Sequence, residues 1–202
     1  MFWQKVHQFD QHLTLVLNSW NSSVSDPIWV FFSDKLVWIP MYAGIIALLF
    51  WKLGWKKALV VIAAVLMTFG FCDQFSNLIK HAVGRIRPLN DEFMVSQGLH
   101  ILERGGGYSF FSAHAANAFG LAASTVTGLK VFMDNKNDLN TPKWLKTYTT
   151  WMFFWATMVS ISRVFVGRHY LGDVIAGSII GFAAGSAFGL LATYIIRKYK
   201  IS

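Results

Sequence analysis

Charge is what this chain has least of: 14% of its 202 residues are Asp, Glu, Lys or Arg, against about 25% in an ordinary soluble domain. That deficit excludes a surface solvated mainly by water. Cysteine is nearly missing as well. Cys72 stands alone inside an apolar run, which excludes an internal disulfide and a thiolate metal site. Carboxylates are scarce, with 10 acidic residues against 18 basic ones and a formal charge of +8. The first residues lack the uninterrupted apolar core of a signal peptide, because Asp10 and His12 break it.

Apolar length takes the place of charge. The chain is 54% hydrophobic, with 9 Trp, 18 Phe and a mean hydropathy of +0.44. A membrane-crossing helix needs about 20 mostly apolar residues. Suitable runs lie within Ile28–Leu53 and at Lys57–Lys80, Ser109–Phe132, Thr147–Val166 and Leu171–Ile196. Phe2, Val6, Phe9, Leu13, Leu17 and Trp20 recur at helical spacing among polar residues, as in a helix lying in the membrane interface or packed across the bundle. The expected fold class is all-α, a polytopic membrane bundle of five to six transmembrane helices with an N-terminal amphipathic helix. One domain covers residues 1–202, the amphipathic helix at 1–22 and the bundle at 27–202.

With five spans, Lys52, Lys56, Lys57, Lys130, Lys136, Lys143, Lys146, Arg197, Lys198 and Lys200 fall on one side. The positive-inside rule places that side in the cytoplasm. The expected location is a bacterial inner membrane, with the opposite end facing the periplasm or exterior. The positive charge at that outer end is concentrated at motifs rather than spread as a patch, so no nucleic-acid partner is expected. Gly177, Gly181, Gly185 and Gly189 form a stripe of small residues at four-residue spacing. Such a stripe packs helices closely within a bundle or, as the second option, joins a homodimer.

Three clusters mark the outer ends of the spans. In "KHAVGRIRP", Lys80 and Arg87 are seven residues apart, two turns if the helix continues to Pro88. Taken alone, snorkelling toward headgroups is the simpler explanation of them. In "GGGYSFFSAHAANAFG", Ser112 is placed to cap a helix whose first amides form an anion site, and His114 stands in its first turn. A plain cap and a structural histidine are the bland alternative. In "ISRVFVGRHYLGDV", His169 and Asp173 are one turn apart. The carboxylate can accept the Nδ1 proton and leave Nε2 free as a base beside Arg163. An ion pair between helices would explain Asp173, but it leaves Lys80, Arg87 and Arg163 without enough carboxylates. A surplus of this kind calls for an anion.

Spaced as Lys-x6-Arg-Pro, x-Ser-x-His and Ser-Arg-x5-His-x3-Asp, the chain resembles the phosphatidic acid phosphatase type 2 family from Lys80 to Asp173. That family is the membrane branch of a superfamily that includes vanadium haloperoxidases. The middle motif departs from the usual Pro-Ser-Gly-His, reading Phe111-Ser112-Ala113-His114. The resemblance implies that Lys80, Arg87 and Arg163 hold a phosphoryl group, aided by Ser112 and the backbone at Ala113. It implies His169 as nucleophile, Asp173 as its orienting partner and His114 as the acid for the leaving group. Asp73, Asn77 and Asn117 are expected as supporting polar groups on the same faces, while Arg85 and Arg168 take no phosphate role.

No metal and no cofactor are implied, since fixed cations can stabilise the transition-state charge. Lipid phosphate and membrane lipids are the expected partners. Undecaprenyl pyrophosphate is the favoured substrate, and phosphatidylglycerophosphate, phosphatidate and lipid A are the alternatives. The rival of a different class is a non-enzymatic anionic-lipid binder or transporter, which would need the cations but not the His169–Asp173 pair.

Overall fold

A computed structural model describes residues 2–133 and 141–201. Lys136, used above to assign sides, lies outside the described residues. All regular structure among the described residues is helical. Helix α1 is Phe2–Asn18, α2 Ser25–Ser33, α3 Ile39–Leu53, α4 Trp55–Val83, α5 Glu92–Ser96, α6 Ala113–Leu129, α7 Lys143–Phe165 and α8 Leu171–Lys198. Short 3-10 turns lie at Leu36–Trp38, Pro88–Asn90 and Lys130–Met133.

Helix α6 is the centre of the bundle. Twelve of its 17 residues are buried, and it packs against α4, α7 and α8. Its Ala, Gly, Ser and Thr residues let neighbours come close. The glycine stripe of α8 uses that property to the full. A Cβ on Gly177, Gly181 or Gly185 would collide with the carbonyl oxygens of Ser112, Ala116 and Gly120. Gly189 faces Ser124 and Thr127 in the same way. The stripe is therefore used within the chain, and the homodimer once open for it loses its surface.

Among the described residues, length and composition mark three stretches as able to cross a membrane: Leu36–Leu53, Trp55–Ser96, which contains α4, and Leu171–Lys198. That is fewer than the five to six expected from apolar runs. Helix α6 has only 17 residues, and α7 mixes Lys143, Lys146, several Thr and Arg163 into its apolar sequence. The span expected within Ile28–Leu53 is found at Leu36–Leu53, although the whole run is not one helix. It breaks after Ser33, where the Asp34 side chain accepts from the Leu36 amide and competes with helical pairing.

Helix α1 is present as expected but turned polar side inward. Phe2, Trp3, Phe9 and Val16 are exposed, while Gln11, Thr14 and Asn18 are buried against the bundle. Of the two readings of this helix, packing on α7 and α8 is the arrangement found. Asn18 explains the inversion: its amide donates to the carbonyls of His100, Val164 and Phe165 at 3.0–3.1 Å and accepts from the His100 amide at 2.7 Å. The Val164 and Phe165 carbonyls lie in the last turn of α7, where helical pairing runs out.

Candidate active site

The site forms where α4 and α7 end and α6 and α8 begin. Helix α4 stops at Val83, earlier than the two turns expected between Lys80 and Arg87. Gly84 adopts φ +62°, a left-handed cap in which its amide bonds the Lys80 carbonyl. The chain then runs extended through Arg87 to Pro88. Ser112 caps α6 as expected, accepting from the Ala115 amide at 3.4 Å. Ala113 opens the helix and His114 follows in its first turn.

After α7 the chain reverses around Gly167, at φ +77°. The amides of Arg168 and His169 both bond the Arg163 carbonyl, at 3.0 and 3.1 Å, so a cation and an imidazole are fixed by one turn. A Cβ at Gly167 would come 3.0 Å from the His100 carbonyl. Positive φ and this close approach together require glycine.

Asp173 is the hub. It has no exposed surface, and Nη1 of Arg85 donates to its Oδ1 at 2.7 Å. Its Oδ2 accepts a short bond from the Ser109 hydroxyl and one from the Tyr170 amide at 3.1 Å. His169 Nδ1 lies 3.5 Å from the same oxygen. The ring therefore turns Nε2 away from the carboxylate, as expected. Burial pushes the His169 pKa down to about 4; the Asp173 bond and charge oppose the shift, and the Arg87 and Arg163 cations add to it. The imidazole is neutral at ordinary pH and holds a lone pair ready for use.

His114 lies within electrostatic reach of His169, Arg163 and Lys35, so both imidazoles share one end of the bundle. Lys80 is similarly within reach of Arg87 and Asp173. The three expected cations are in unequal states. Arg163 is only 2% exposed, pairs with Glu103 at 3.2 Å and donates a short bond to Ser33, which in turn bonds Glu103. Among the described residues, neither Lys80 nor Arg87 makes an ion pair. Arg87 is 8% exposed, its Nη1 reaches only the Arg168 carbonyl at 3.4 Å, and its Nε has no partner. A buried guanidinium left so poorly matched is costly unless an anion joins it.

A cavity of about 350 Å³ opens beside His114 between α3, α4, α6 and α7. Ile45, Leu49, Val65 and Leu121 make most of its wall apolar, while Ser33, Lys35, Asp73, His114 and Asn117 make one end polar. Asn117 donates to Asp73 at 2.8 Å, so these two supporting groups are joined. Asn77 is exposed on α4.

A sequence profile of the PAP2 superfamily matches residues 55–199. The chain belongs to the PAP2 superfamily. It is 36% identical over 194 residues to a lipid A 4'-phosphatase of Bacteroides thetaiotaomicron, covering 95% of this chain and 80% of the relative. It is 27% identical over 178 residues to an undecaprenyl-diphosphatase of Sulfolobus acidocaldarius, covering 86% and 73%. Among solved structures, the PAP2 type phosphatidylglycerolphosphate phosphatase of Bacillus subtilis shares its fold, with a TM-score of 0.68 at 19% identity over 98% of this chain and 88% of that one. As a PAP2 member with long apolar helices and phosphatase relatives, the protein is a membrane lipid phosphatase.

Several groups that hold this PAP2 site were invisible in the motifs. Glu103 supplies the carboxylate that the sequence seemed to lack for Arg163. Ser109 shares Asp173 with His169, and Arg85 bridges Asp173 to Asp10. Thr14 and Asp10 accept from the Leu171 and Gly172 amides, the orphan donors of α8. The single cue was the polar side of α1: Asp10, Thr14 and Asn18 fall at helical spacing alongside its apolar stripe.

Proposed function

We propose that this enzyme removes a phosphate from the sugar headgroup of a lipid A-type substrate through a phosphohistidine intermediate. The observation that carries the mechanism is the buried, ion-pair-free guanidinium of Arg87 beside Lys80 and the neutral His169. Lys80, Arg87 and Arg163 bind the phosphoryl oxygens, with Ser112 and the amides at the start of α6 as further donors. His169 Nε2 gives its lone pair to phosphorus in line with the leaving oxygen. As the P–N bond forms, the P–O bond to the lipid breaks. His114 protonates the departing alkoxide. Water then attacks the phosphohistidine, His114 takes up its proton, and the P–N bond breaks to release inorganic phosphate. Asp173 holds the Nδ1 proton throughout.

The substrate rests on the Bacteroides relative, whose name supports lipid A over the undecaprenyl pyrophosphate favoured from sequence. The polar end of the cavity suits this reading, since Lys35, Asp73 and Asn117 surround the position where His114 meets a hydroxylated leaving group. Undecaprenyl pyrophosphate stands second, on the Sulfolobus relative. The lysine-rich ends of α3, α4, α7 and α8 lie opposite the site, so the positive-inside rule turns the site toward the periplasm of an inner membrane.

Mass spectrometry of bisphosphorylated lipid A after incubation with purified enzyme tests the proposal, with undecaprenyl pyrophosphate in a parallel reaction. The expected result is loss of one phosphate from lipid A, absent with His169→Ala. Faster phosphate release from undecaprenyl pyrophosphate would overturn the substrate, and full activity of His169→Ala would overturn the nucleophile.

A further inference from the structure

Arg85 is a charged residue at the site that phosphate binding leaves unused. Its guanidinium donates to Asp173 Oδ1 at 2.7 Å and to Asp10 Oδ2 at 2.7 Å, with His7 Nδ1 3.2 Å away. Its flat face lies 3.8 Å from the centre of the Tyr170 ring. The Tyr170 hydroxyl is fixed in turn by Asp91 at 2.6 Å, and Asp91 accepts from Gln11 of α1 at 3.0 Å. These contacts engage both ends of the guanidinium and set it over an aromatic ring. Arg85 holds a buried carboxylate whose other oxygen lies 3.5 Å from His169 Nδ1.

We propose that Arg85 is a positioning residue for the His169–Asp173 pair and that Asp10 makes helix α1 a working part of the site. The proposal rests on the reading of His169 as nucleophile. Two physical effects are involved. Arg85 occupies Oδ1, leaving Oδ2 for Ser109, the Tyr170 amide and Nδ1 of His169. It also offsets the Asp173 charge. A carboxylate without that cation would draw a proton onto His169 and so remove the lone pair that attacks phosphorus.

The other charges around this group are arranged to let Arg85 decide. Asp173 of α8, Arg163 of α7 and Arg87 from the segment after α4 act directly on His169. His114 of α6 is also within electrostatic reach of it. Behind Arg85 stand Asp10 and His7 of α1. Lys80 is within reach of Asp173, while Arg168 is within reach of Lys80, Arg87 and Arg163. Glu103 is committed to Arg163. Arg85 is the cation in direct contact with the Asp173 carboxylate.

The test is the pH dependence of kcat and KM for purified enzyme on one lipid phosphate. Wild type and His169→Ala serve as references, so that a failure of the nucleophile reading shows separately. Arg85→Met is expected to lower kcat about ten- to a hundredfold, with KM changed less than about threefold. Its acid limb should rise by about one pH unit, since the uncompensated carboxylate favours imidazolium. Arg85→Lys should return the limb to its wild-type position while recovering only part of kcat, because one ammonium cannot bridge two carboxylates as a fork does. Asp10→Asn should lower kcat about threefold without raising the limb, since Arg85 keeps its charge on Asp173. Should Arg85→Met fail to fold, Asp10→Asn and Arg85→Lys carry the test. A wild-type kcat in both would overturn the proposal, as would an Arg85→Met enzyme with an unmoved limb.

Discussion

Helix α6 has two unlike sides. Toward α8 it meets a glycine stripe whose missing side chains bring backbone against backbone, and the Ser112 amide bonds the Asp173 carbonyl at 3.0 Å. Toward α3 the helices stand off, leaving the apolar cavity of about 350 Å³. The first side carries His169 and Asp173, whose positions, in the reaction proposed above, must be fixed to a fraction of an ångström for attack on phosphorus. The second side opens onto helices with large exposed apolar side chains, where a lipid can be admitted without disturbing the first. Rigidity and access are thus assigned to opposite faces of one helix.

The largest test of this contrast is a pair of identical substitutions. In Gly181→Ala the new methyl collides with the Ala116 carbonyl, whereas Gly70→Ala on α4 has nothing within 4 Å. Gly181→Ala should destabilise the enzyme by about 3 kcal/mol or more. Gly70→Ala should be neutral or stabilising by up to about 1 kcal/mol. Thermal unfolding in detergent reads both, and equal melting temperatures would mean that the glycine stripe is not tightly packed against α6.

On the rigid side, burial and the neighbouring cations hold His169 unprotonated down to about pH 4. If His169 is the nucleophile, as proposed, its reactive form is the neutral one and activity is expected to fall only as pH drops through that value. At pH 5 a group with pKa about 4 keeps roughly 30 times more neutral form than an unperturbed histidine near 6.5. An acid limb in kcat/KM centred near 6.5 would contradict this account of the buried face.

On the open side, Val65→Trp fills the cavity. It is expected to raise KM about tenfold for a long-chain lipid phosphate, from the loss of apolar contact. A short water-soluble phosphate ester should keep its KM. Equal losses on both substrates would mean that the cavity does not receive the lipid. The smallest effect is expected at Glu103, which occupies Arg163 without being a ligand for phosphate. Glu103→Gln should tighten inhibition by inorganic phosphate about threefold, since the carboxylate no longer competes for the guanidinium. Weaker inhibition would show that Glu103 serves to orient Arg163 rather than to compete.

The sequence made the rigid face easier to read than the open one. Ser112 announced its cap, the glycines announced close packing, and the His169–Asp173 spacing announced a shared face, because each depends on residues within one helical turn or one repeat. The supports of that face were hidden. Arg85 reaches Asp10 across 75 positions and Gly172 reaches Asp10 across 162, and no local period encodes such pairs. Charge counting also misled: a total of 10 acidic residues against 18 basic ones concealed that Glu103 and Asp10 sit at the site itself. On the open face, a span was expected within Ile28–Leu53, and it lies at Leu36–Leu53, just past Asp34 and Lys35. A polar pair there is both a helix break and the polar mouth of the cavity.

The central claim is that the packed face of α6 presents His169 to a phosphoryl group bound by Lys80, Arg87 and Arg163. Its most direct test is a rapid alkaline quench of the enzyme with radiolabelled lipid phosphate, followed by peptide mass spectrometry. Label on His169 that appears before free phosphate and is lost in His169→Ala is the predicted result. Phosphate released at the full rate with no label on the protein, or label on another residue, would contradict it.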